Sequence, residues 1–319
     1  MKPPYEITVE ILGLVSAISE QIGEVKSARL TKPQTSLRRR NRIRTIQSSL
    51  EIEGNTMTIG QVTDLMDNKR VIAPQKDIIE VRNAIEVYAG LRNFNPFNLD
   101  DLLAAHRLMM DKLADKPGQL RTSAVGIARG EQITHIAPPG HMVHTLVNDL
   151  FGYLRNDDDI LLIKSCVFHY ELEFIHPFTD GNGRMGRLWQ TLILMKYSPV
   201  FEFLPVESLI KQRQQEYYAV LGRSDREGNS TPFIRFILEI IHQALEELLS
   251  SQNTTVTDTE RIELFREIIG GRQFSRQEYL RHNKEISPAT ASRDLKNAVD
   301  RGILEKYGDK RLTKYRFRE

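Results

Sequence analysis

Five stretches of this chain repeat apolar residues three and four positions apart, and that spacing leaves few architectures open. They are "LDDLLAAHRLMMDKL" from Leu99, "HTLVNDLFGYL" from His144, "ILLIKSCVFHYELEFI" from Ile160, "GRLWQTLILMKY" from Gly186 and "TPFIRFILEIIHQALEELL" from Thr231. Such spacing gathers the apolar side chains on one face of a helix and predicts a mainly α core. The exception is "RTSAVGIARGEQITHIAPP", Arg121 to Pro139, where β-branched residues flank a Gly-containing turn and predict a short β-hairpin. A composition of 40% hydrophobic and 27% charged residues over 319 positions suits a soluble globular protein of two or three domains. No run approaches the roughly 18 apolar residues that span a bilayer, and "MKPPYEITVE" lacks a signal peptide's apolar stretch, so the expected location is cytoplasmic with no membrane partner. The single cysteine, Cys166 in "LLIKSCVF", excludes an internal disulfide and a cysteine-rich zinc site and reads as a core residue.

"SSQNTTVTDTE" from Ser250 is polar and Ser/Thr-rich, and predicts a linker over residues 250–257 between a core ending at residue 249 and a second domain over 258–319. That second domain should hold a helix from Asp258, another near Ser275 to His282, and a third from Ser287, where Ser-Pro supplies an N-cap and a first-turn proline. "ILEKYGDKRLTKYRF" then predicts two strands joined around Gly308 and Asp309. Three helices and a terminal hairpin resemble a winged helix-turn-helix domain, with Ser287 to Arg301 as the recognition helix and Arg293 and Lys296 as candidate DNA contacts. A solvated face, or a surface for protein contacts, is the competing reading. From Asp258 onward, 15 Lys and Arg stand against 11 Asp and Glu, a mildly basic balance that leans toward nucleic acid. The basic run "LRRRNRIR" from Leu37 reads as a solvated helix face.

"FIHPFTDGNGRMGR", Phe174 to Arg187, concentrates the chemistry. Pro177 disfavours helical conformation in the residue before it, which holds His176 at a helix end. "TDGNGR" then places two glycines in a three-residue span, suited to a loop whose backbone N–H groups converge on an anion, and a helix begins directly after it. Arg184 and Arg187 are three apart and share a face of that helix's first turn. Two cations at the positive end of a helix dipole make sense with a polyphosphate bound. Asp180 is a candidate Mg²⁺ ligand, since that ion takes one or two protein carboxylates plus substrate phosphates. A Walker loop would need Gly-Lys-Ser/Thr, and a calcium loop from Asp180 would need an oxygen ligand where Arg184 stands and Glu where Thr191 stands. For zinc, His141 with His144 and His169 with His176 are the available pairs, without a His-Glu-x-x-His motif.

These residues resemble the signature of the Fic family, His-Pro-Phe-x-Asp/Glu-Gly-Asn-Gly-Arg-x-x-Arg, and match every fixed position. "LLAAHRLMM", "PGQLRTSAV", "ITHIAPP" and "VFHYELEFIHPF" extend the resemblance over about residues 99–249. It implies a Fic helical core with a short β-hairpin flap, transferring AMP from ATP to a Ser, Thr or Tyr hydroxyl of a target protein and releasing pyrophosphate. By the same resemblance His176 is the general base and Asp180 the Mg²⁺ ligand. Gly181, Asn182 and Gly183 line the α-phosphate, Arg184 contacts the β and γ phosphates and Arg187 the γ-phosphate, with Gly186 in the same phosphate-binding segment. Thr134, His135 and Ile136 belong to a flap that pairs with the target segment, while Tyr217 and Tyr218 match a pair near the adenine in some relatives. Relatives also often form homodimers.

"SSLEIEGN", Ser48 to Asn55, reads as the end of a helix stopped by Gly54, yet Glu53 puts a carboxylate at the negative dipole end, where it is worth a few tenths to about 1 kcal/mol less than a lysine. Ser49, Glu53 and Gly54 resemble the family's inhibitory motif, Ser/Thr-x-x-x-Glu-Gly/Asn, and residues 1–98 the class whose inhibitory helix is N-terminal. The resemblance implies that Glu53 pairs with Arg187 and competes with the γ-phosphate for it. Two alternatives follow: the same site removes AMP, with Glu53 positioning a water, or the chain is a regulator that binds DNA through its C-terminal domain.

Overall fold

Helices along the chain follow the apolar spacing and its punctuation. In the computed structural model, which describes residues 2–27, 35–129, 132–253, 258–283, 286–309 and 313–318, four helices come first: α1 (Val9–Ser27), α2 (Thr35–Ile52), α3 (Ile59–Met66) and α4 (Gln75–Ala89). α2 ends as its sequence predicts. Gly54 takes φ +91°, the Gly54 N–H donates to Glu51 O (3.0 Å) and the Asn55 N–H to Leu50 O (3.1 Å), the paired bonds of a Schellman stop. α3 starts at a capping box, Thr58 with Gln61. On the basic face of α2, Arg39 pairs with Asp67 and Arg42 with Glu202.

α5 (Leu99–Met109) leads to an antiparallel hairpin, β1 (Gly126–Arg129) and β2 (Gln132–Ile136), inside the stretch read as β. Five further helices complete this part: α6 (Gly140–Asn156), α7 (Leu161–Ile175), α8 (Asn182–Tyr197), α9 (Val206–Gln212) and α10 (Gln214–Glu227). α11 (Thr231–Asn253) follows them. α7 is buried almost all round, as expected of a helix with no polar stripe. Its one lysine, Lys164, threads its ammonium to the carbonyls of Leu154 and Asp157.

The chain divides into two compact units, residues 1–249 and 250–319. Ile18, Ile46 and Val81 from the first helices join the same apolar cluster as Leu102 and Val167, so the boundary expected at residue 98 separates sequence but not core. A helix with a single apolar stripe must bury it against a neighbour, and α1, α2 and α4 bury theirs here. The expected linker is also shorter than its composition suggests: α11 runs to Asn253, because extending an established helix costs little even through Ser and Gln, and residues 254–257 lie outside the described part.

The second unit packs α12 (Asp258–Ile269), α13 (Arg276–His282) and α14 (Pro288–Asp300) with an antiparallel pair, β3 (Leu304–Tyr307) and β4 (Lys314–Phe317). Ser287 caps α14 by accepting from the Thr290 N–H (3.1 Å), with Pro288 in the first turn. Phe265, Phe274, Tyr279, Leu295, Leu304 and Phe317 form this unit's own apolar cluster. Among the described residues, no helix is long and apolar enough to cross a membrane.

Candidate active site

His176 is the residue at which α7 stops, and it stops in the left-handed region, φ 49° and ψ 60°. For a residue with a Cβ that conformation costs about 1–2 kcal/mol, so the surroundings must hold it. Arg121 does so. Its Nε donates to His176 O (2.6 Å), Nη2 to Ile175 O (3.0 Å) and Pro138 O (2.8 Å), and Nη1 to Ser123 O (2.5 Å). One buried guanidinium thereby ties the last carbonyls of α7, at the negative dipole end, to both feet of the hairpin.

The loop after His176 is braced from two sides. The Asn182 side chain accepts from the Phe178 N–H (2.9 Å) and donates to Phe178 O (2.9 Å), closing the turn. His106, from α5, stacks on Phe178 at 3.7 Å between ring centroids and meets Asp180 O through Nε2 at 3.0 Å. Because the Gly118 N–H donates to His106 Nδ1 (2.8 Å), the proton sits on Nε2 and that nitrogen donates to Asp180 O. Burial lowers the His106 pKa to about 4, which keeps the ring neutral.

Two glycines lie at this turn, and at Gly181 the left-handed backbone requires one. Gly181 has φ +84°, and a Cβ there would lie 2.7 Å from Met110 Sδ; a Cβ on Gly183 would lie 2.3 Å from Glu53 Oε1. The Gly181 N–H turns toward the Asp180 carboxylate (2.6 Å) and is engaged within the loop. α8 then opens with the Met185 N–H on Gly181 O (3.0 Å), and by helix geometry the amides of Asn182, Gly183 and Arg184 belong to its open end. A half-exposed Asp180 carboxylate stands beside them.

Both arginines near the start of α8, Arg184 in its first turn and Arg187 in its second, are buried and both meet a carboxylate from the N-terminal region. Arg187, 2% exposed, donates through Nη2 to Glu53 Oε1 (2.7 Å) and to Ser49 O (2.9 Å), and through Nε to Ser49 Oγ (3.1 Å). Burial is the largest single influence and works against its charge, but Glu53 together with the neighbouring Tyr217 and Glu173 outweighs it and the guanidinium pKa is raised. Arg184, 3% exposed, donates through Nη1 to Glu80 Oε1 (3.3 Å) and through Nη2 to Asp180 Oδ1 (3.2 Å). Behind the pair, burial raises the Glu207 carboxyl pKa to about 7.

Of the residues read from sequence, Ser49, Glu53, Asp180, Gly181, Asn182, Gly183, Arg184 and Arg187 come together, next to His176. Gly186 instead serves packing: a Cβ there would lie 2.7 Å from His169 Cδ2 of α7. Tyr217 lies in the interior. It is 1% exposed, its hydroxyl sits between His169 Nε2 (3.0 Å) and Glu173 Oε1 (3.3 Å), and apolar neighbours rather than an open nucleotide surface surround the ring. Tyr218 donates its hydroxyl proton to Ile52 O (3.1 Å) at the end of α2. Thr134, His135 and Ile136 lie on β2, Thr134 at the bulge between two register pairs; their side chains lie outside the described part of the structure. Among the described residues no group of three or more His, Cys, Asp or Glu is arranged to hold a metal ion. Of the four histidines in the zinc pairs, His169 is buried between Gln190 and Tyr217 and His144 is bonded to Asn148.

Arg121, His106, Glu80 and Asn55 escaped the sequence reading. Three of them stood inside stretches already singled out, "PGQLRTSAV", "LLAAHRLMM" and "SSLEIEGN", where Asn55 directly follows the Glu-Gly pair. Nothing in the periodicity of α4 marks Glu80.

The pattern defining the Fic/DOC family matches residues 96–194. A solved structure of a Fic family protein from Desulfovibrio desulfuricans is similar over 100% of this chain and 98% of its own, at 41% identity and a TM-score of 0.76. Fic-1 from Caenorhabditis elegans shares the fold over 76% of each chain, at 24% identity and a TM-score of 0.59. Among curated sequences, the protein adenylyltransferase fic-1 of C. elegans is 32% identical over 227 residues, 66% of this chain and 42% of that protein. The protein adenylyltransferase Fic of Nematostella vectensis is 28% identical over 218 residues, 65% of this chain and 48% of that protein. The chain thus spans less than half the length of these curated relatives. A full set of signature residues around one helix start, together with a 41% identical Fic structure matched end to end, means that this chain belongs to the Fic/DOC family.

Proposed function

We propose that this chain is a protein adenylyltransferase restrained by its own Glu53. It would move AMP from ATP to a Ser, Thr or Tyr hydroxyl of a target protein, itself included. The observation that carries this reading is the Glu53 carboxylate 2.7 Å from Arg187 at the start of α8. A built-in carboxylate on a buried arginine beside a glycine loop occupies the place a ligand's anionic end would take. Curated relatives named protein adenylyltransferase support the same reaction.

In this reaction the acceptor oxygen attacks the α-phosphorus, the bond to the α–β bridging oxygen breaks, and pyrophosphate leaves with that oxygen. His176 takes the hydroxyl proton as general base. The amides at the open end of α8 and the guanidinium of Arg184 stabilise charge on the phosphate oxygens. Asp180 fits the single carboxylate that Mg²⁺ needs when it binds together with phosphates, and the ion would neutralise part of their charge. Arg187 completes the contact with the γ-phosphate once Glu53 has left it.

Incubation with α-labelled ATP tests the proposal. Glu53→Gly should label protein at least about tenfold more than the wild type, a difference of roughly 1.4 kcal/mol, and His176→Ala in that background should abolish the label. No label from any variant that folds would overturn it. A Glu53→Gly protein that gains no transfer but loses the power to strip AMP from a labelled protein would favour the reverse reaction, with Glu53 orienting water.

The C-terminal unit supports a second proposal, a winged helix-turn-helix that docks on DNA. Arg293 and Lys296 are both exposed on α14, and Arg276 of α13 reaches across to Ser292 Oγ (2.9 Å), adding a third cation to that face.

A further inference from the structure

The two arginines of the α8 turn are held by carboxylates that differ in one decisive respect, whether the carboxylate can leave. Glu53 caps the end of α2 with its side chain 32% exposed, and the next residue is a glycine. Glu80 sits in the middle of α4, 5% exposed, and is braced on its second oxygen by Asn55 Nδ2 (2.8 Å). Asn55 is fixed in turn: its Nδ2 also donates to Asp77 O (3.2 Å), and its Oδ1 accepts from the Met57 N–H (3.0 Å). Apart from Arg184, the cation within reach of Glu80 is Lys76, at 3.9 Å and largely exposed, too far and too solvated to draw it away. Separating a buried carboxylate from its buried arginine is costly, so this contact is far harder to release than that of the half-exposed Glu53.

We infer that Glu80, locked by Asn55, is a positioning residue that fixes Arg184 from behind and presents its Nε–Nη2 edge to the phosphates of a nucleotide. Glu80 occupies Nη1, so the edge that makes a two-point contact with a phosphate is the other one. On that edge Nη2 reaches the half-exposed Asp180, and Nε is a buried donor without a hydrogen-bond acceptor among the described residues. A buried N–H of this kind is costly unless an acceptor arrives, and a phosphate oxygen is such an acceptor. Preorganisation of this sort adds to binding because the ligand need not order the side chain. Asn55 lies two residues after Glu53, so the turn that restrains Arg187 also builds the brace on Arg184.

The inference rests on the ATP reading of this site, and its test reads binding rather than turnover. In the Glu53→Gly protein, calorimetry would measure ATP and AMP, each with Mg²⁺, against Glu80→Gln, Arg184→Ala and the double variant. Glu80→Gln keeps the volume of the side chain and removes its charge. ATP affinity should fall about tenfold, the scale of one charge-assisted hydrogen bond, and AMP affinity by less than about twofold. The fall should vanish when Arg184 is already alanine. Equal losses for ATP and AMP, an unchanged or tightened ATP affinity, or a Glu80 effect that persists without Arg184 would each overturn the positioning role. Labelled transfer by the same Glu53→Gly protein reports on the reaction separately. Transfer with an ATP affinity indifferent to Glu80 sinks this inference alone, whereas Glu80-dependent ATP binding without transfer sinks the reaction alone.

Discussion

At the scale of single residues, His106 shows how a neutral side chain shapes a charged site. It accepts from Gly118, donates to Asp180 O and stacks on Phe178, and it can do all three only while one ring nitrogen is unprotonated. Its pKa, lowered by burial to about 4 against an ordinary 6.5, makes stability depend on pH in a definite direction. Between pH 6.5 and 4 the unfolded chain takes up a proton that the folded chain refuses, so His106 contributes stability that is fully present above pH 6.5 and lost as pH falls. A His106→Gln variant lacks this dependence. Urea unfolding should therefore show the wild type losing about 2 kcal/mol relative to His106→Gln between pH 7.5 and pH 5, one and a half pH units below the unfolded pKa. A difference that does not change with pH would remove His106 from the account of the loop. The residues legible from local chemistry are those that lie contiguously, from His176 to Arg187, where loop and helix chemistry constrain one another within twelve positions; Ser49 and Glu53 were legible only through the resemblance to a family motif. Glu80 reaches Arg184, His106 reaches Asp180 and Arg121 reaches His176 across 104, 74 and 55 residues of chain, and Asn55 reaches Glu80 across 25; a spacing argument cannot see a contact that only the tertiary fold creates.

At the scale of elements, the five periodic stretches became α5, α6, α7, α8 and α11, because each has a face that must be buried. α1, α3 and α4 stand outside those stretches, and α3 is short enough that its capping box, Thr58 with Gln61, is its clearest mark. Tyr217 shows a related limit: period alone does not say whether an aromatic on α10 faces a ligand or the core, and its ring meets His169 and Phe233. In the C-terminal unit the three helices and the strand pair stood out in sequence, but not the group that joins them. Asp294 on α14, 0% exposed, accepts from Arg261 Nε (2.8 Å) and Nη2 (3.0 Å) on α12 and from the Tyr279 hydroxyl (3.2 Å) on α13. Three helices thus share one carboxylate. Replacing it with alanine removes the acceptor of a two-point ion pair, a loss of about 3–5 kcal/mol. Since this unit has its own apolar cluster, calorimetry of full-length Asp294→Ala should show a separate transition at lower temperature, with the transition of residues 1–249 unmoved. A single unshifted transition would mean that the apolar cluster alone holds the three helices.

At the scale of the whole molecule, charge is divided between the two units in a way that the catalytic reading leaves unused. Residues 258–319 carry 15 Lys and Arg against 11 Asp and Glu, while the preceding 257 carry 29 against 31. Within the C-terminal unit the acidic groups are partly spent on structure: Asp294 is buried in its ion pair, and Asp258 bonds Asn297 (2.7 Å). Arg293, Lys296 and Lys314 remain exposed. The Asp294–Arg261 pair removes one charge of each sign from the surface, so the balance of this unit stays mildly basic, which is what a phosphate backbone attracts. Binding of this kind releases counterions, so its strength should fall steeply with salt, by a factor that grows with the number of phosphates contacted. Full-length protein should retard a mixed-sequence DNA duplex at about 50 mM salt and release it near 200 mM, the range over which a few phosphate contacts are lost. Arg293→Glu with Lys296→Glu should abolish the shift while leaving labelled transfer by the Glu53→Gly protein intact, because both side chains lie on the solvent face of α14 and neither belongs to the α8 turn. Retardation indifferent to these two reversals would move the contact off α14, and no retardation even at low salt would make this unit a surface for protein rather than DNA.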